Sequence, residues 1–437
     1  MNRNLSRRAL LRRSAAGLAG FWIAKDARIA WGYPANDKLR LASIGTANRA
    51  RDNLDGVQGQ ELVALCDVDA DYLGEALKRF PQAKGFKDFR VLLGEFAGKL
   101  DGVVVSTPDH LHAPATAMAL RAKLPVYCEK PLAHSVHEVR TVTELARAAG
   151  VATQMGTQIH SMDNYRRVVE LVRAGAIGAI TEVHVWVGRS WAGGDRPKET
   201  PAVPTNLDWD LWLGPAPVRP YHSAYCPGSW RGWWDFGNGT LGDMACHHMD
   251  LPFWALELTT PESIESEGPP PHAESCPPWL IVRYQMKRKS GATVPLTWYH
   301  GEKRPPQFTN QQLPAEIAKQ WGDGTLFVGT KGMLIADYDR RVLLPEASFK
   351  DFVAPAPTIA ASPGHYEEWF GAIRDGKGST KALCHFDYAG PLTEAVLLGA
   401  VAYRAGKKLA WDPAKFATGD AAADALLARE YRKGWTL

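Results

Sequence analysis

Short apolar segments alternate with segments of helical character through the first third of the chain, and this alternation restricts the fold more than any other feature. The apolar segments span residues 39–44, 61–66, 102–105, 125–128 and 151–155. Strands that are apolar along their length are typical of parallel sheets covered by helices on both faces. We therefore expect a doubly wound α/β domain over residues 35–157.

The turn after the first predicted strand indicates dinucleotide binding. Gly45 follows that strand, whereas Ala47 and Ala50 occupy the places of the second and third glycines of a dinucleotide fingerprint. Such a turn lets backbone N–H groups at the start of a helix approach a pyrophosphate. The strand before the turn and the helix after it favour this interpretation of a degenerate motif. The predicted cofactor contacts are Gly45, Thr46, Ala47, Asn48 and Arg49.

Asp67 ends the second predicted strand, about 20 residues after the glycine turn, where an acidic residue would bind both ribose hydroxyls. A carboxylate at this position would repel a 2′-phosphate, which favours NAD over NADP as the cofactor. Two alternatives stay open at this point. Asp67 could be a turn or N-cap residue, and Arg49 could accommodate a phosphate.

The pattern changes after residue 158. Residues 180–187 alternate in part between apolar and polar side chains, as in a sheet with one exposed face. Residues 192–240 are rich in Pro, Gly and Trp, which predicts long loops of the kind that usually carry function. The Pro- and Glu-rich segment 261–278 is expected to be a surface connection. These features predict a second domain over residues 158–437.

Two motifs carry residues suited to proton transfer coupled to hydride transfer. Glu129-Lys130-Pro131 follows a predicted strand, and Asp243 and His247 lie four residues apart, on one face of a helix if that segment is helical. Three alternatives remain open. The lysine could be a solvated surface residue, and His247 could be a satisfied core residue. Asp243 and His247 could also bind a metal together with His248 and Asp250, although we expect no metal.

Together these elements resemble the Gfo/Idh/MocA family of nicotinamide-dependent oxidoreductases. The resemblance rests on Gly45 with Asp67, the segments 106–112 and 129–131, and the segment 239–250, in this order and spacing. It implies an N-terminal Rossmann domain and a C-terminal α/β domain built on a large, open, mainly antiparallel sheet. In the family that sheet often supports oligomers, so a homodimer or homotetramer is expected.

The resemblance also implies roles for individual residues. Lys130 would lie beside the nicotinamide and stabilise a developing alkoxide, Asp243 would orient the site, and His247 would be the general base, with His248 as a secondary candidate. Further residues would bind the cofactor, with Glu129 at the ribose and the others at the nicotinamide half: Ser106, Thr107, Pro108, His112 and Glu129.

Aromatic and polar residues cluster in or beside the irregular segment before Asp243. Flat apolar faces with hydrogen-bonding rims suit a sugar or glycoside, although Trp residues also pack loops onto sheets. The residues expected to contact this substrate are Gln158, His160, Arg189, Trp191, Tyr221, Trp230, Arg231 and Trp233, with His248.

The first 34 residues are interpreted as an export segment. Residues 6–12 read Ser-Arg-Arg-Ala-Leu-Leu-Arg, which resembles a twin-arginine signal, and the following apolar stretch is too short to span a bilayer. A basic, disordered N-terminus is the alternative.

The net charge of +4 includes no basic block, so we expect no nucleic-acid partner and no stable membrane insertion. The six cysteines form no CxxC pair, which argues against a disulfide framework or a zinc site.

Export restricts the chemistry, because free NAD is scarce outside the cytoplasm. Three hypotheses follow. The protein is an oxidoreductase that recycles a tightly bound cofactor on sugars, a redox-neutral NAD-dependent glycoside hydrolase, or a non-catalytic sugar-binding protein.

Overall fold

The computed structural model describes residues 38–310, 312–376 and 381–437. The export segment predicted over residues 1–34 lies outside these ranges. The first domain consists of β1 (Arg40–Ile44), α1 (Arg49–Val57), β2 (Glu61–Cys66), α2 (Ala70–Arg79), β3 (Lys84–Phe86), α3 (Phe89–Phe96), β4 (Gly102–Val105), α4 (Asp109–Arg121), β5 (Val126–Cys128), α5 (Val136–Ala149) and β6 (Thr153–Met155). A 3₁₀ turn spans Ala97–Lys99.

These strands form one parallel sheet in the order β3-β2-β1-β4-β5-β6. The doubly wound fold predicted from the apolar segments is therefore confirmed. The order reverses between β1 and β4, and dinucleotides bind in the crevice outside the carboxyl ends of the strands at such a point. The turn after β1 and the turn after β4 consequently face each other across the site.

The rest of the chain forms a second sheet and the helices that cover it. Its elements are α6 (Asp163–Arg173), β7 (Ile180–Val187), α7 (Trp209–Leu213), α8 (Gly239–His248), α9 (Asp250–Leu256), β8 (Leu258–Glu267), β9 (Leu280–Arg288), β10 (Thr293–His300), α10 (Ala315–Gln320), β11 (Gly324–Gly329), β12 (Gly332–Ala336), β13 (Arg341–Leu344), α11 (His365–Asp375), α12 (Phe386–Ala405), β14 (Leu409–Ala410) and α13 (Ala421–Asp424). Short 3₁₀ turns span Gln158–Ser161, Trp230–Gly232, Pro306–Phe308 and Glu346–Phe349.

This sheet is large and mainly antiparallel, as predicted. Its order is β13-β12-β11-β7-β10-β9-β8-β14, and among these neighbours only β7 and β10 run parallel. Helices α8 and α12 pack on its inner face, where Leu241, Val282 and Tyr284 meet at Gly399. The inner face thereby fixes α8, which carries Asp243 and His247.

The prediction of a surface connection over 261–278 is wrong for its first part. Residues Leu258–Glu267 form strand β8, which pairs with both β9 and β14. Its register shifts on either side of Pro261, and a proline is tolerated in a sheet at such an irregularity because no ladder N–H is needed there. The pairing comes from distant segments, which the local proline content does not reveal.

Residues 188–238 form a long insertion that covers part of the first domain. Asn206 Nδ2 donates to both carboxylate oxygens of Asp69, at 3.0 and 2.9 Å. Backbone hydrogen bonds join Ala70 N to the Asn206 carbonyl and Asp208 N to the Val68 carbonyl, at 2.8 and 2.9 Å. The insertion is therefore fastened to the loop that follows β2, next to Asp67.

The C-terminal segment also returns to the first domain. Arg429 forms an ion pair with Glu138 of α5 at 2.8 Å, and the Trp435 ring lies 5.9 Å from that of Phe89. The last residues of the chain therefore pack against the first domain. Within the described ranges, no helix is long and apolar enough to cross a membrane.

Candidate active site

A cavity of about 400 Å³ opens at the carboxyl ends of β1, β2 and β4. One wall is formed by the turn at residues 45–49, the loop at 67–69 and the turn at 106–109. Residues of the insertion close the opposite side, among them Leu207, Trp212, Trp230 and Arg231. All cofactor-binding residues predicted from the sequence line this cavity: Gly45, Thr46, Ala47, Asn48, Arg49, Asp67, Ser106, Thr107, Pro108, His112, Glu129 and Lys130.

Gly45 allows the turn at residues 45–49 and the turn at residues 106–109 to approach each other. Its φ is +97°, and a Cβ atom on it would lie 2.5 Å from the Ser106 carbonyl oxygen. An alanine at this position would be strained and would push the two turns apart. Asn48 also has a positive φ of 52°, so the backbone turns sharply just before α1. Asn48 and Arg49, at the N-terminus of α1, line the cavity, and a helix N-terminus offers free backbone N–H groups to an anion.

The Asp67 carboxylate is held against the glycine turn. One oxygen accepts hydrogen bonds from Thr46 N and Thr46 Oγ1, both at 2.9 Å, and the other accepts from Asp69 N at 3.0 Å. Burial raises the pKa of Asp67, although these hydrogen bonds oppose the shift. The side chain lies at the end of β2, the position from which an acidic residue of a Rossmann fold accepts hydrogen bonds from the ribose.

Glu129, a buried residue of the cavity wall, is the centre of a polar network. Its Oε1 accepts from Arg49 Nε at 3.1 Å, Asn53 Nδ2 at 3.0 Å and Gln158 Nε2 at 2.9 Å. Gln158 Nε2 also lies 2.7 Å from the Tyr127 hydroxyl. The amide of Gln158, expected to contact substrate, is thus already engaged in holding Glu129.

His112 connects the turn after β4 to the turn that carries Lys130. Its two ring nitrogens lie 2.7 Å from the Pro131 carbonyl oxygen and 2.8 Å from the Thr107 carbonyl oxygen. Because both partners are acceptors, both nitrogens donate best as an imidazolium. Burial opposes that charge, but the interactions with Cys128, Asp109 and the Pro131 carbonyl outweigh it and raise the pKa of His112 to about 9.

Lys130 and Asp243 meet across the two domains. Lys130 Nζ donates to Asp243 Oδ1 at 2.5 Å and to the Asp243 carbonyl oxygen at 3.0 Å. Arg231 Nε lies 2.9 Å from Oδ1, and Trp191 Nε1 donates to Oδ2 at 2.7 Å. Burial alone would raise the pKa of Asp243, but Lys130 and Arg231 hold it well below its usual range. Asp243 is therefore a permanently ionised carboxylate that fixes the lysine.

His247 and His248 follow on α8 in different surroundings. Burial, then the Lys130 charge, lower the pKa of His247 well below its usual value, and its buried Nδ1 has no hydrogen-bond partner among the described residues. His248 stacks on the Tyr338 ring at 4.7 Å, and its Nε2 lies 2.9 Å from the Tyr338 hydroxyl. Burial lowers the pKa of His248 to about 4. Both are neutral at pH 7, and neither belongs to the cavity lining.

Three of the residues expected to bind substrate lie at the Lys130–Asp243 pair or in the cavity wall. Arg231 and Trp230 line the cavity, with the Arg231 guanidinium 4.1 Å from the centre of the Trp230 ring. Trp191 contacts Asp243 and remains 40% exposed. Arg189 lies farther out, 57% exposed and 3.7 Å from Asp323. These side chains offer aromatic faces and cationic donors beside Lys130.

The structure does not bring three others to the cavity. His160 is buried, with Nδ1 2.9 Å from the Asp250 carboxylate and its ring stacked on Trp254 at 4.0 Å. Trp233 is buried in an aromatic cluster, donating from Nε1 to the Ala224 carbonyl. Tyr221 packs edge-on against Trp209 in the same cluster. These side chains pack against other residues and do not line the cavity, which a sequence position in a loop does not reveal, and their contact with a substrate stays a prediction.

His160, Asp250 and Cys384 also bring potential metal-ligand atoms within 4.8 Å of one another in the interior. The Asp250 carboxylate already receives the Tyr388 hydroxyl at 2.6 Å besides the contact with His160. Hydrogen bonding accounts for this arrangement, and the expectation that the protein uses no metal stays a prediction.

Asp109 is a cavity residue that sequence reasoning missed. It is the first residue of α4 and only 1% exposed, yet it lines the cavity. Its position after Thr107-Pro108 was visible in the sequence as part of the motif. Nothing in that motif predicted a buried carboxylate beside Arg231, because Arg231 comes from the distant insertion.

Comparison with known proteins agrees with this geometry. Residues 39–157 match the oxidoreductase family with an NAD-binding Rossmann fold, and residues 165–307 match the C-terminal alpha/beta domain of the same family. The chain belongs to the Gfo/Idh/MocA oxidoreductase family. Its first domain is the NAD-binding domain of that family, and the glycine turn, Asp67 and the cavity are the features that fit the cofactor.

Individual relatives are similar over part of the chain. An inositol 2-dehydrogenase of Rubrobacter xylanophilus is 34% identical over 156 residues, 35% of this chain and 44% of that enzyme. An alpha-N-acetylgalactosaminidase of Tannerella forsythia is 26% identical over 208 residues, 40% of this chain and 43% of that enzyme. The chain thus spans less than half the length of both relatives.

The fold as a whole is shared with solved structures. The WlbA dehydrogenase from Bordetella pertussis, crystallised in complex with NADH and UDP-GlcNAcA, aligns with a TM-score of 0.59 and 19% identity, over 86% of this chain and 99% of that one. At this identity the likeness shows the fold alone.

Proposed function

We propose that this protein is an NAD-dependent oxidoreductase acting on a sugar or sugar derivative. The observation that carries the proposal is the contact of Lys130 with Asp243 at the edge of a cavity built from the NAD-binding turns. The Trp and Arg side chains around this pair support a polyhydroxylated substrate, since aromatic faces pack on sugar rings and cationic N–H groups donate hydrogen bonds to hydroxyl oxygens.

The bound cofactor would supply hydride transfer to or from a carbinol carbon. Lys130, fixed by Asp243, would place its ammonium against the substrate oxygen and stabilise the alkoxide that develops there. Arg231 shares the same carboxylate and would keep Lys130 in one orientation. His247, the base expected from the resemblance, follows Asp243 by one turn of α8 and is neutral at pH 7, the form in which an imidazole can accept a proton.

The direct test identifies the cofactor and the reaction together. The protein is purified and denatured, and the released nucleotide is identified. The native protein is then mixed with sugars and aryl glycosides while nicotinamide reduction and leaving-group release are both recorded. The proposal expects NAD in the supernatant and reduction by at least one sugar. A protein that neither carries nor binds NAD would be a sugar-binding module instead.

A redox-neutral glycoside hydrolase is the second candidate. The insertion supports it, because Asn206 and Asp208 fasten residues 188–238 over the loop beside Asp67 and favour a cofactor that stays bound. The similarity to an alpha-N-acetylgalactosaminidase supports it too.

In this mechanism the oxidised sugar eliminates its glycosidic substituent, water adds, and the carbonyl is reduced again. The expected result in deuterated water is glycoside cleavage without net NADH and with deuterium next to the oxidised carbon. Cleavage without that exchange would exclude the route.

Export to the periplasm and assembly as a homodimer or homotetramer are part of the proposal. The segment at residues 6–12 supports export through the twin-arginine route. Replacing both Arg7 and Arg8 by Lys should retain a reporter fused after residue 37 in the cytoplasm, whereas the parent segment should export it. Equal export of both fusions would contradict the proposal.

A further inference from the structure

The cavity continues past Asp67 to an end that lies away from Lys130. Asp67 follows β2 directly, and β3 lies beside β2 at the edge of the sheet. Residues 87–89, which follow β3, line the cavity there. The acidic residue after the second strand of a Rossmann fold binds the ribose whose 2′-hydroxyl distinguishes NAD from NADP, which is the adenosine ribose. The adenine ring attached to that ribose therefore belongs at the β3 end of the cavity.

Apolar side chains from three distant parts of the chain enclose this end. They are Phe89 of α3, Leu211 and Trp212 of α7, and Trp435 near the C-terminus. Trp435 lines the cavity and keeps 8% of its surface exposed. Flat apolar side chains of this kind suit a purine ring, because every base has a face that can stack on an aromatic side chain.

The protein itself holds the Trp435 ring in place. The Arg90 guanidinium lies 4.3 Å from the centre of this ring, and the centre of the Phe89 ring lies 5.9 Å from it. Arg90 Nη1 also donates to the Gly434 carbonyl oxygen at 3.3 Å. A side chain fixed in this way loses little conformational freedom when a ligand packs against it, and such pre-organisation favours tight binding.

The segment that carries this tryptophan also fastens the insertion to the first domain. We call residues 429–437 the C-terminal strap. On one side, Arg432 Nη1 donates to Asp210 Oδ1 of α7 at 2.6 Å. On the other side, Arg121 Nη2 of α4 donates to the Leu437 carbonyl oxygen at 3.0 Å. The strap thus ties α7, whose residues line the same end of the cavity, to a helix of the NAD-binding domain.

We propose that the C-terminal strap is part of the cofactor site. Trp435 contacts the adenine ring of NAD, and Arg432 holds the strap against α7, so that this wall stays closed while NAD is bound. The inference goes beyond the proposed function, because it concerns how the cofactor is held and not what reaction it serves. It applies equally to an oxidoreductase and to a redox-neutral glycoside hydrolase.

The first experiment tests the adenine contact in the cofactor-stripped full chain. Ligand-observed NMR titration measures the affinity for AMP, which carries the adenine, and for nicotinamide mononucleotide, which does not. Trp435→Ala should lower the affinity for AMP by about tenfold, as the loss of one base–aromatic stack does. Its affinity for nicotinamide mononucleotide should equal that of the parent. Trp435→Phe, which keeps an aromatic face, should recover most of the affinity for AMP.

The second experiment tests retention of NAD by the loaded protein. Dilution into a nucleotide trap gives the dissociation rate of NAD, and the melting temperature reports folding. The rate should rise by about tenfold in Trp435→Ala. It should also rise in Arg432→Ala, which keeps the tryptophan but loses the hydrogen bonds to the insertion.

Two further variants complete the design. Trp279→Ala is the matched control and should keep the parental rate, because Trp279 does not line the cavity and its ring instead carries the Lys303 ammonium 4.1 Å from its centre. If Trp435→Ala does not fold, Trp435→Leu takes its place, since leucine keeps apolar volume but offers no aromatic face.

Several results would overturn the inference. A parental affinity for AMP in folded Trp435→Ala would remove the adenine contact. Equal losses of affinity for AMP and for nicotinamide mononucleotide would show a changed fold instead of a lost contact. Parental NAD dissociation in both Trp435→Ala and Arg432→Ala would remove the role of the strap in retention. The proposed function fails separately, since a parent protein that holds NAD through Trp435 but reduces it with no sugar would refute only the oxidoreductase.

Discussion

Asp67 is the residue whose role in choosing the cofactor follows most directly from its contacts. Its carboxylate is fixed by Thr46 and Asp69 at the end of β2, so its negative charge cannot swing away from a 2′-phosphate. Arg49, the sequence-based argument for NADP, instead donates to Glu129 at 3.1 Å and to Asp52 at 3.0 Å. Both observations favour NAD.

Replacing Asp67 by Ala should shift the preference toward NADP. Removing the repulsive charge and the ribose acceptor should lower the affinity for NAD by about tenfold, which corresponds to about 1.4 kcal/mol for a hydrogen bond to a charged group. Affinity for NADP should rise or stay level. Calorimetric titration of the cofactor-stripped protein measures both values, and Asp71→Ala, in the first turn of α2, is the control. A variant with the parental ratio would show that Asp67 is only a turn residue.

The site residues were predictable to the extent that their signals are local. Gly45 and Asp67 stand at fixed distances from strand ends, and Lys130 follows β5 directly, so their positions could be inferred from pattern and family resemblance. His160 and Trp233 carry the same kinds of side chain as residues that line the cavity, but their packing depends on Asp250, Trp254 and Ala224. Asp109 was missed because its neighbour Arg231 is also distant in sequence.

At the scale of elements, the insertion at residues 188–238 is the part of the molecule that most changes the expected behaviour of the cofactor. The sequence predicted long loops there, and the structure shows a segment packed on Val68 and fastened to Asp69. Its α7 begins at Trp209 and is capped by Asp208, whose side chain accepts a hydrogen bond from Leu211 N at 3.1 Å. The insertion is therefore an ordered cover, not a free loop.

Releasing this cover should speed cofactor loss. Asn206→Ala removes both side-chain hydrogen bonds to the Asp69 carboxylate, which are worth about 1.5–3 kcal/mol for a charged acceptor. We propose that the cover must open before NAD can leave, so the dissociation rate should rise by about tenfold or more. Stopped-flow dilution into a nucleotide trap measures the rate. Glu199→Ala, at an exposed site of the same insertion, is the control, and equal rates for parent and Asn206→Ala would mean that the insertion does not retain the cofactor.

Strand β8 shows a different limit of sequence reasoning. Its prolines and glutamates predicted a connection, whereas its partners β9 and β14 make it a strand. Strand β7, by contrast, was expected from the partial alternation of its own residues. Elements made by pairing to remote strands are determined by tertiary contacts and could not be predicted.

At the scale of the whole molecule, the outer face of the large sheet bears on the expected oligomer. Apolar residues of this face, including Trp186, Tyr299 and Leu326, pack with Ile317 and Trp321 from the segment before β11. The chain thus covers part of one face of the sheet that, by the family resemblance, is expected to support oligomers. Assembly into a homodimer or homotetramer stays a prediction, and sedimentation of the purified protein would test it.

The stability of the whole molecule should fall in mild acid because several histidines are buried in neutral form. Burial lowers the pKa of His110 and His365 to about 3, and of His248 and His300 to about 4. Below the ordinary value of 6.5 the unfolded chain therefore binds more protons than the folded one. The free energy of unfolding should fall as pH drops from 6.5 to about 4, by up to about 1.4 kcal/mol per pH unit for each group.

His112 changes the pH dependence of the free energy of unfolding in the opposite direction. Its pKa is raised to about 9, so its contribution is fully present below 6.5 and is lost as pH rises toward 9. Urea unfolding at a series of pH values measures the net slope. His300→Gln should reduce the acid slope by one proton, whereas His272→Gln, whose side chain is 40% exposed, should leave it unchanged. A flat profile below pH 6.5 would contradict the neutral buried histidines.

The central claim is that Lys130, fixed by Asp243, lies where hydride passes between a sugar carbon and the nicotinamide. The most direct measurement is deuterium transfer from a carbon-deuterated sugar to the cofactor, read by mass spectrometry of the released nucleotide. The parent protein and Lys78→Ala, an exposed control on α2, should both carry deuterium on the nicotinamide. Lys130→Ala should retain NAD and carry essentially none. Equal labelling in Lys130→Ala and the parent would contradict the account.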